Sequence, residues 1–515
     1  MGYNKKKNLE QNIQSIEIAF ELSRQNRQPT QEQRSILEKY SGFGGLSCIL
    51  KPCDKPEDID GWLATEKDLF EDTVRLYELI RKYSDSDDMY KSYVSSLKES
   101  KLTAFFTPAH VIKVLTESFH KNDILFHDIL DPSAGTGAFF NGFEKNKENI
   151  VCFEKDYITA KILRLLHPEA EINSSGFETI EKYNNNYFDL VTSNIPFGNF
   201  KVYDQAFAES KDSIQKKSCN KIHNYFFIKA IDIVREGGII AFITSRGLMN
   251  TPENRIIRER LMETCNLVSV IRLPNDLFID IANTKAGSDL IILQKNTAKN
   301  IKSPDEEAFI ETRILPNGCP VNNYLMDFSR VIYTKFEVTT DQYGQPGINF
   351  YYEKSKEDLA FELSAMLHVD YQKRLNKELY NKYLHENKKV SEENEEDDEM
   401  ASDTAISLYD LFGITPEERT QLEMKQKTNL SKSEENPGIL ISSLEDPFDI
   451  LRTSKKICQY KGNFEEYYTE GTIVQFKGQT GFLSIKKERK KDEVAECHMF
   501  NPIDVSVAQS ARIKG

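Results

Sequence analysis

Two short loops carry the residues whose types and spacing could do chemistry. The first, residues 131–137, follows an apolar run and reads Asp-Pro-Ser-Ala-Gly-Thr-Gly. The second, residues 194–198, begins 63 positions later (194 − 131) and reads Asn-Ile-Pro-Phe-Gly. Glycines let the backbone approach a ligand closely, and an amide beside an aromatic ring suits a planar polar group. The two loops therefore predict a nucleotide-like cofactor next to an acceptor base.

The first loop is predicted to hold the cofactor. Its candidate cofactor-binding residues are Asp131, Ser133, Ala134, Gly135, Thr136 and Gly137. A helix that begins near Gly137 would point its N-terminus at the cofactor, although the match to the GxGxxG pattern is incomplete at its third glycine. Glu154 ends the next predicted strand, 17 residues after Gly137. A carboxylate there can accept both ribose hydroxyls of a nucleoside, and the alternative is a surface acid.

Residues 176–178 follow the third predicted strand and are a further candidate. Phe177 could pack on the adenine ring of the cofactor, and Glu178 could accept a hydrogen bond from its exocyclic amine. The alternative is a plain turn.

The second loop suits an amine on a planar ring. Such an amine is a weak nucleophile because its lone pair is delocalised, and two acceptors on its hydrogens would free that pair. The Asn194 side-chain oxygen and the Ile195 carbonyl are the predicted acceptors, and Pro196 restricts the backbone of Ile195. Phe197 offers a face for an extruded base, with about 1–3 kcal/mol from stacking. A β-turn with a buried phenylalanine is the alternative.

The elements around these loops are predicted to form a mainly parallel sheet with helices on both faces, because strands and helices alternate. The predicted strands span residues 124–130, 150–153, 171–174 (the weakest), 188–192, 239–244, 267–273 and 290–293. Helical patterns span residues 160–166, 225–234 and 254–263. Both loops directly follow strands, where ligands bind in such sheets.

The whole chain divides into six predicted regions. These are a helical region at 1–100, a cofactor-binding domain at 101–300, a mixed α/β extension at 301–390 that could recognise the target, an acidic linker at 391–404, a short helical segment at 405–430 and a small β-rich module at 431–515. Within them we expect a strand over 330–336, one polar helix over 356–383 and a β-hairpin over 471–483.

Composition limits the classes of function. The net charge of −14 weakens a nucleic-acid interpretation without excluding it, because residues 391–399 alone carry seven acidic side chains. The eight cysteines form no CxxC pair, so neither a disulfide framework nor a metal site is expected. No apolar run is long enough to cross a bilayer, and residues 1–12 do not read as a signal peptide. We therefore expect a cytoplasmic location.

Four further features have two interpretations each. The glycine-rich turn at residues 40–46 is either a structural loop or a lid over the cofactor. His223 is more typical of a structural than of a catalytic histidine. Arg246 could contact a backbone phosphate or form a salt bridge. The basic run at 486–491 is either a solvated loop or a nucleic-acid contact.

The two loops, with Phe106-Thr107-Pro108 before them and Phe139, resemble the motifs of adenine-N6 DNA methyltransferases, in the order of the γ subclass. Residues 40–46, 194–198 and 244–247 are also similar to the methylase half of large methylase–helicase proteins of bacterial mobile elements. The chain contains no Walker-type GxxxxGK[ST]. It departs from the family at Ile195, where proline is usual, and at Phe197, where many members have tyrosine.

The resemblance implies a Rossmann-like, seven-stranded α/β sheet of the S-adenosylmethionine-dependent methyltransferases, with a helical N-terminal region and a small C-terminal β module. It implies that Thr107 and Pro108 line the methionine end of the cofactor, that Glu154 binds ribose, that Asn194 and Ile195 hold the amine and that Phe197 stacks on the base. The expected partners are DNA and a helicase or specificity protein. Methylation of RNA or of a protein glutamine, and a non-catalytic anti-restriction or scaffold role, stay open.

Overall fold

The computed structural model describes residues 3–103, 106–143, 149–181, 184–198, 200–340, 346–383, 456–459, 473–476, 479–490 and 493–502. The chain divides into two compact units, residues 1–396 and 397–515. The predicted acidic linker (391–404) and the helical segment (405–430) lie outside the described residues.

The N-terminal region is helical, as its periodicity indicates. Its α-helices are α1 (Lys5–Gln25), α2 (Gln31–Leu37), α3 (Phe70–Lys82) and α4 (Asp87–Thr103). Helix α1 begins after Asn4, whose side chain accepts a hydrogen bond from the Lys7 N–H, and ends at Asn26 in the left-handed conformation. Its apolar face is buried against the other helices of the region.

The centre of the first unit is a seven-stranded sheet in the order β3-β2-β1-β4-β5-β7-β6. Its strands are β1 (Ile129–Asp131), β2 (Ile150–Phe153), β3 (Glu171–Asn173), β4 (Phe188–Asn194), β5 (Val234–Ser245), β6 (Cys265–Leu273) and β7 (Ser288–Lys295). The first five strands in this order, β3, β2, β1, β4 and β5, are parallel to one another. Strand β7 runs antiparallel to both β5 and β6. The predicted fold class is confirmed.

Helices cover both faces of the sheet and connect its strands. They are α5 (Ala109–His120), α6 (Tyr157–Leu166), α7 (Gln205–Glu209), α8 (Ser213–Ser218), α9 (Ile222–Ile233), α10 (Gly247–Asn250), α11 (Arg255–Thr264) and α12 (Ile279–Ala282). Strand β5 shows why the central strands are continuously apolar. Ile239 and Ile243 belong to the core on one face, whereas Ile240 and Phe242 belong to the core on the other.

An extension completes the first unit. It contains α13 (Pro304–Ile310), β8 (Thr312–Ile314), β9 (Pro320–Asn322), β10 (Lys335–Thr340), β11 (Pro346–Tyr351), α14 (Lys356–Arg374) and α15 (Lys377–Lys382). The prediction of a single helix over 356–383 is wrong. The helix is interrupted at Leu375 and Asn376, which lie between α14 and α15. The strand expected over 330–336 is displaced, and only its end lies in β10.

Two expectations close to the first loop are corrected. The apolar run 124–130 forms a strand only from Ile129, and Ile124 and Phe126 are core residues that precede it. The helix expected near Gly137 is a short 3-10 helix, Ala138–Gly142, and not an α-helix. Burial of an apolar run does not by itself specify a strand.

The second unit contains a four-stranded antiparallel sheet in the order β12-β15-β14-β13. Its strands are β12 (Lys456–Gln459), β13 (Ile473–Phe476), β14 (Gln479–Lys490) and β15 (Glu493–Pro502). Strands β13 and β14 are the arms of the hairpin expected over 471–483. The basic residues 486–490, expected in a loop, lie in β14.

Candidate active site

A cavity of about 590 Å³ opens at the carboxyl ends of β1, β2 and β4. Nine of the candidate site residues predicted from the sequence line it: Thr107, Ser133, Ala134, Gly135, Glu154, Phe177, Glu178, Asn194 and Pro196. The structure therefore brings parts of both loops to one space. The others named, Pro108, Asp131, Thr136, Gly137, Ile195 and Phe197, are not among its lining residues.

The turn after β1 is held by its neighbours on β2. The Ala134 N–H donates to the Phe153 carbonyl at 3.0 Å, and the Gly135 N–H donates to Glu154 Oε2 at 2.8 Å. Gly135 has φ +57°, and a Cβ at this position would lie 2.6 Å from the Phe106 ring. Only glycine therefore fits between the turn and the residue that precedes Thr107.

Glu154 presents a buried carboxyl group at the edge of the cavity. Its Oε2 accepts from the Gly135 N–H, and its Oε1 accepts from the Asp156 N–H at 2.7 Å. Burial, and then the neighbouring Asp156 charge, raise the pKa of Glu154 to about 8. Each oxygen holds one backbone N–H and retains a lone pair for a further donor, such as a ribose hydroxyl.

Asp131 and Gly137 support the turn from outside the cavity lining. Asp131 Oδ1 accepts from the Ser133 N–H at 3.1 Å, and burial raises the pKa of Asp131 to about 7. Gly137 has φ +81° and packs against the side chains of His167 and Leu163. Both residues shape the loop, and the cavity wall comes from residues 132–135.

Asn194 is the last residue of β4 and faces the same cavity. The strand is fixed here because the Ile195 N–H donates to the Ile243 carbonyl of β5 at 3.0 Å. Ser193 Oγ donates to the Ser133 carbonyl at 3.2 Å, which ties the second loop to the first.

Two other side chains of the second loop, Ile195 and Phe197, pack into the protein. Ile195 is 1% exposed, and its side chain belongs to the core. The Phe197 ring lies edge-on to Phe278, with centroids 5.8 Å apart. Phe197 is partly buried there and packs on the core of the opposite face from Ile195.

An aromatic wall closes the cavity on the β3 side. The Phe177 ring lies 5.3 Å from that of Phe226 on α9 and 6.2 Å from that of Tyr225. Glu178 is a cavity residue whose Oε1 is 3.6 Å from Lys155 Nζ. A ring next to an acceptor at this position suits a purine base with an exocyclic amine.

The N-terminal region supplies a wall that the domain division did not anticipate. Glu99 and Ser100 of α4 line the cavity, and Ser96 Oγ donates to Asp156 Oδ1 at 2.6 Å. Thr107 Oγ1 is buried and has no hydrogen-bond partner among the described residues. Thr107 is also a lining residue of the cavity, so a ligand bound there could become the partner of this hydroxyl.

The sequence also missed part of the wall beyond the second loop. Residues 200–203, with Ile222 and Phe226 of α9, line the cavity. The aromatic run at 225–227 next to His223 was the available signal for the α9 wall.

The structure favours the structural interpretation for two of the ambiguous features. In the turn at 40–46, Phe43 and Leu46 are fully buried, and Asn12 Nδ2 donates to the Gly42 carbonyl at 2.6 Å. This turn does not line the cavity. His223 is buried beside Asn254, and burial lowers its pKa to about 4.

Arg246, at the end of β5, contacts the extension. Its Nη1 donates to the Ile348 carbonyl and to Asn349 Oδ1, each at 3.1 Å. The guanidinium therefore positions the β10–β11 hairpin near the carboxyl edge of the sheet.

Two features are absent from the described residues. No helix there is long and apolar enough to cross a membrane. In the same part of the chain, no group of three or more His, Cys, Asp and Glu side chains is arranged to hold a metal ion.

Comparison with known proteins gives one family match and several relatives. Residues 86–318 match the model of the family described as N-6 DNA Methylase. The type II methyltransferase M.HincII of Haemophilus influenzae is 27% identical over 235 residues, which cover 42% of this chain and 45% of that protein. The methylase subunit of the type I restriction enzyme EcoEI of Escherichia coli is 22% identical over 292 residues, covering 51% of this chain and 55% of the subunit.

The chain therefore spans about half the length of the curated relatives it matches. Among solved structures, the methyltransferase subunit of a type I restriction-modification system from Streptococcus thermophilus is 14% identical, with a TM-score of 0.33. That match covers 72% of this chain and 93% of the other.

Proposed function

We propose that this protein transfers the methyl group of S-adenosylmethionine to N6 of adenine in DNA. The observation that carries the proposal is one cavity lined by Gly135, Glu154 and Asn194, at the carboxyl ends of three adjacent strands. The family match over residues 86–318 supports the same chemistry. A cofactor site and an acceptor group that meet in one space are what a direct transfer requires.

The residues around the cavity fit this cofactor. We assign the ribose hydroxyls to Glu154, the adenine ring to Phe177 with Glu178 as acceptor, and the methionine end to Thr107 and Pro108. The buried Thr107 hydroxyl and the two lone pairs left on Glu154 are the groups that a ligand would satisfy. When bound, S-adenosylmethionine supplies the methyl group in an activated form.

The second loop then acts on the acceptor. We assign the two hydrogens of the adenine amine to Asn194 Oδ1 and the Ile195 carbonyl, which together make the nitrogen lone pair available. His223 does not line the cavity, and this chemistry needs no strong base before transfer. The adenine must leave the DNA stack to reach the loop, and we assign the stacking face for it to Phe197.

Replacing Asn194 tests this assignment. Purified protein is incubated with methyl-labelled S-adenosylmethionine and DNA that lacks adenine methylation. We expect Asn194→Ala to reduce transfer by about 100-fold, the scale seen when one fixed hydrogen-bonding group is removed from an active site. Binding of S-adenosylhomocysteine should stay within about twofold, since Asn194 holds the acceptor and not the cofactor.

The matched control is Asn300→Ala, an exposed asparagine beyond the carboxyl end of the antiparallel strand β7, which should leave both readouts unchanged. Unchanged transfer by Asn194→Ala would overturn its assigned role. RNA and protein acceptors belong in the same assay, because transfer to either in place of DNA would replace the proposed substrate. Cofactor binding without transfer to any acceptor would instead indicate a scaffold or anti-restriction role.

We also propose that DNA is engaged with a partner protein. The Escherichia coli relative is a subunit of a type I restriction enzyme, which supports a specificity subunit. The resemblance to methylase–helicase proteins of mobile elements supports a helicase. Single-molecule sequencing of DNA from cells that express this chain alone tests the need for either. Methylation at one fixed motif under those conditions would contradict a required partner.

A further inference from the structure

The segment 200–203 carries an exposed aromatic ring at the mouth of the cavity. It follows the acceptor loop and lines the same cavity as Glu154 and Glu178. The Tyr203 side chain is nonetheless 77% exposed. A large ring that borders a ligand cavity and leaves most of its surface in water is available for contact with a ligand.

The backbone that carries this ring is held firmly. Asp204 is 3% exposed, and its Oδ2 accepts from Tyr225 Oη at 2.7 Å and from Lys229 Nζ at 2.8 Å. On the other side of Tyr203, the Val202 N–H donates to the Cys219 carbonyl at 2.9 Å. These hydrogen bonds lie within one residue of Tyr203 on each side and fix its backbone. Ligand binding would therefore order few torsions beyond those of the Tyr203 side chain.

These anchors place the segment against the wall assigned to the cofactor's nucleoside. Tyr225 and Lys229 belong to α9, which also contributes Ile222 and Phe226 to the cavity. Phe226 in turn contacts Phe177, the ring assigned to the adenine. The predicted acceptor ring, Phe197, packs instead against Phe278 and does not line this cavity.

We propose that Tyr203 is a positioning residue for a purine nucleoside, and that this nucleoside is the one in the cofactor. Its ring would cover the outer face of the bound adenosine, opposite the wall made by Phe177 and Phe226. The inference rests on the proposed function for the identity of the cofactor. Deoxyadenosine extruded from DNA is the other source of the same chemistry, and the experiments separate the two.

The first experiment measures binding of labelled S-adenosylhomocysteine by equilibrium dialysis. We expect Tyr203→Ala to weaken binding about tenfold, the scale of losing one base-stacking ring. Tyr203→Phe should bind as the wild type, because the ring and not the hydroxyl is used. Tyr187→Ala is the matched control, since Tyr187 is 46% exposed but precedes β4 at the opposite edge of the sheet.

The second experiment uses fluorescence. The chain has one tryptophan, Trp62, which is 4% exposed, so Tyr203→Trp adds a distinct exposed reporter. S-adenosylhomocysteine should change the emission of this tryptophan, and the titration should give the same affinity as dialysis. Double-stranded DNA alone should leave the emission unchanged. The same ligand should leave the emission of Tyr187→Trp unchanged.

A Tyr203→Trp signal that responds to DNA and not to S-adenosylhomocysteine would overturn the assignment to the cofactor. Full affinity in Tyr203→Ala would overturn it as well, and would leave the proposed function standing. If the wild type binds S-adenosylhomocysteine but transfers no methyl group to DNA, the substrate proposal fails alone. A wild type that does not bind S-adenosylhomocysteine would overturn both.

Discussion

At the scale of single residues, Ile195 explains how the acceptor loop departs from the family pattern. Its N–H donates to the Ile243 carbonyl of β5, a bond that proline cannot make. Its side chain lies in the core, and the proposed chemistry uses its carbonyl and not its side chain. The substitution therefore replaces the stiffness of a proline ring with a hydrogen bond to the neighbouring strand. Pro196 still restricts the backbone from the other side.

Glu154 is the residue whose protonation should control the affinity for the cofactor. Burial places its pKa at about 8, so below that pH the group is largely protonated when no ligand is bound. Ribose hydroxyls donate to a carboxylate, and a protonated carboxyl offers them fewer acceptor sites. Ligand binding must then displace the proton, at a free-energy cost of up to about 1.4 kcal/mol for each pH unit below the pKa.

We therefore expect affinity for adenosine to be highest above pH 8 and to fall as pH decreases, by up to about tenfold per unit. Adenosine is the suitable probe because it lacks the amino group of the full cofactor, which itself titrates near pH 8. Isothermal calorimetry between pH 6 and 9 measures this. Glu154→Gln should bind more weakly with a flatter profile, and Asp131→Asn controls for the pKa of about 7 at Asp131. A flat wild-type profile would contradict the role of Glu154.

At the scale of elements, the turn after β1 depends on one glycine. Gly135→Ala places a methyl group 2.6 Å from the Phe106 ring and forces a side chain into a conformation with φ +57°. Phe106 directly precedes Thr107, which we assign to the methionine end of the cofactor. The clash therefore disturbs both the turn at Gly135 and the segment that carries Thr107. We expect binding of S-adenosylhomocysteine to weaken about tenfold or more, since strain of about 1–3 kcal/mol adds to the displaced contacts.

Gly61→Ala is the matched control for this change. A Cβ at Gly61 meets nothing within 4 Å, and its φ is not in the left-handed region. Equilibrium dialysis with both variants separates a local effect at the cavity from a general effect of losing a glycine. Equal affinity for the ligand in Gly135→Ala and wild type would show that the turn can relax.

The order of elements could be predicted from the sequence better than their ends. Strands β2 and β4 to β7 lie where apolar runs occur, because strands buried on both faces must be apolar throughout. The break between α14 and α15 could not be predicted, since it depends on a contact distant in sequence. The Asn376 N–H donates to Gln294 Oε1 at 2.9 Å, and the Asn376 side chain caps α15.

The sequence likewise predicts only part of the candidate site. Gly135, Glu154 and Asn194 all follow strands of one parallel sheet, so their meeting at one edge follows from the fold. Glu99 and Ser100 of α4 were not predicted, because their place in the wall comes from packing between helices that no local pattern encodes. The same holds for Phe197, whose contact with Phe278 joins segments about 80 residues apart.

At the scale of the whole molecule, helices α1 to α3 share one core with the segment that matches the family model. Ile158, Ile162, Leu165 and Leu166 of α6 are buried together with the apolar faces of α1 and α3. Beyond the family match, Tyr371 of α14 stacks on Phe119 of α5, with centroids 5.3 Å apart. Elements outside residues 86–318, on both sides of the sequence, therefore pack against helices that cover the sheet.

This arrangement predicts that residues 86–318 do not fold alone and that residues 1–396 do. The fragment 86–318 lacks α1 to α3, which uncovers four large side chains of α6, each worth about 1.5–3 kcal/mol of burial, a sum comparable to the 5–15 kcal/mol stability of a typical domain. The fragment 1–396 keeps this core and every cavity residue. Thermal melting followed by circular dichroism should be cooperative for 1–396 and absent for 86–318. Only the longer fragment should bind S-adenosylhomocysteine, and a cooperative, ligand-binding 86–318 would show that the N-terminal helices are dispensable to the site.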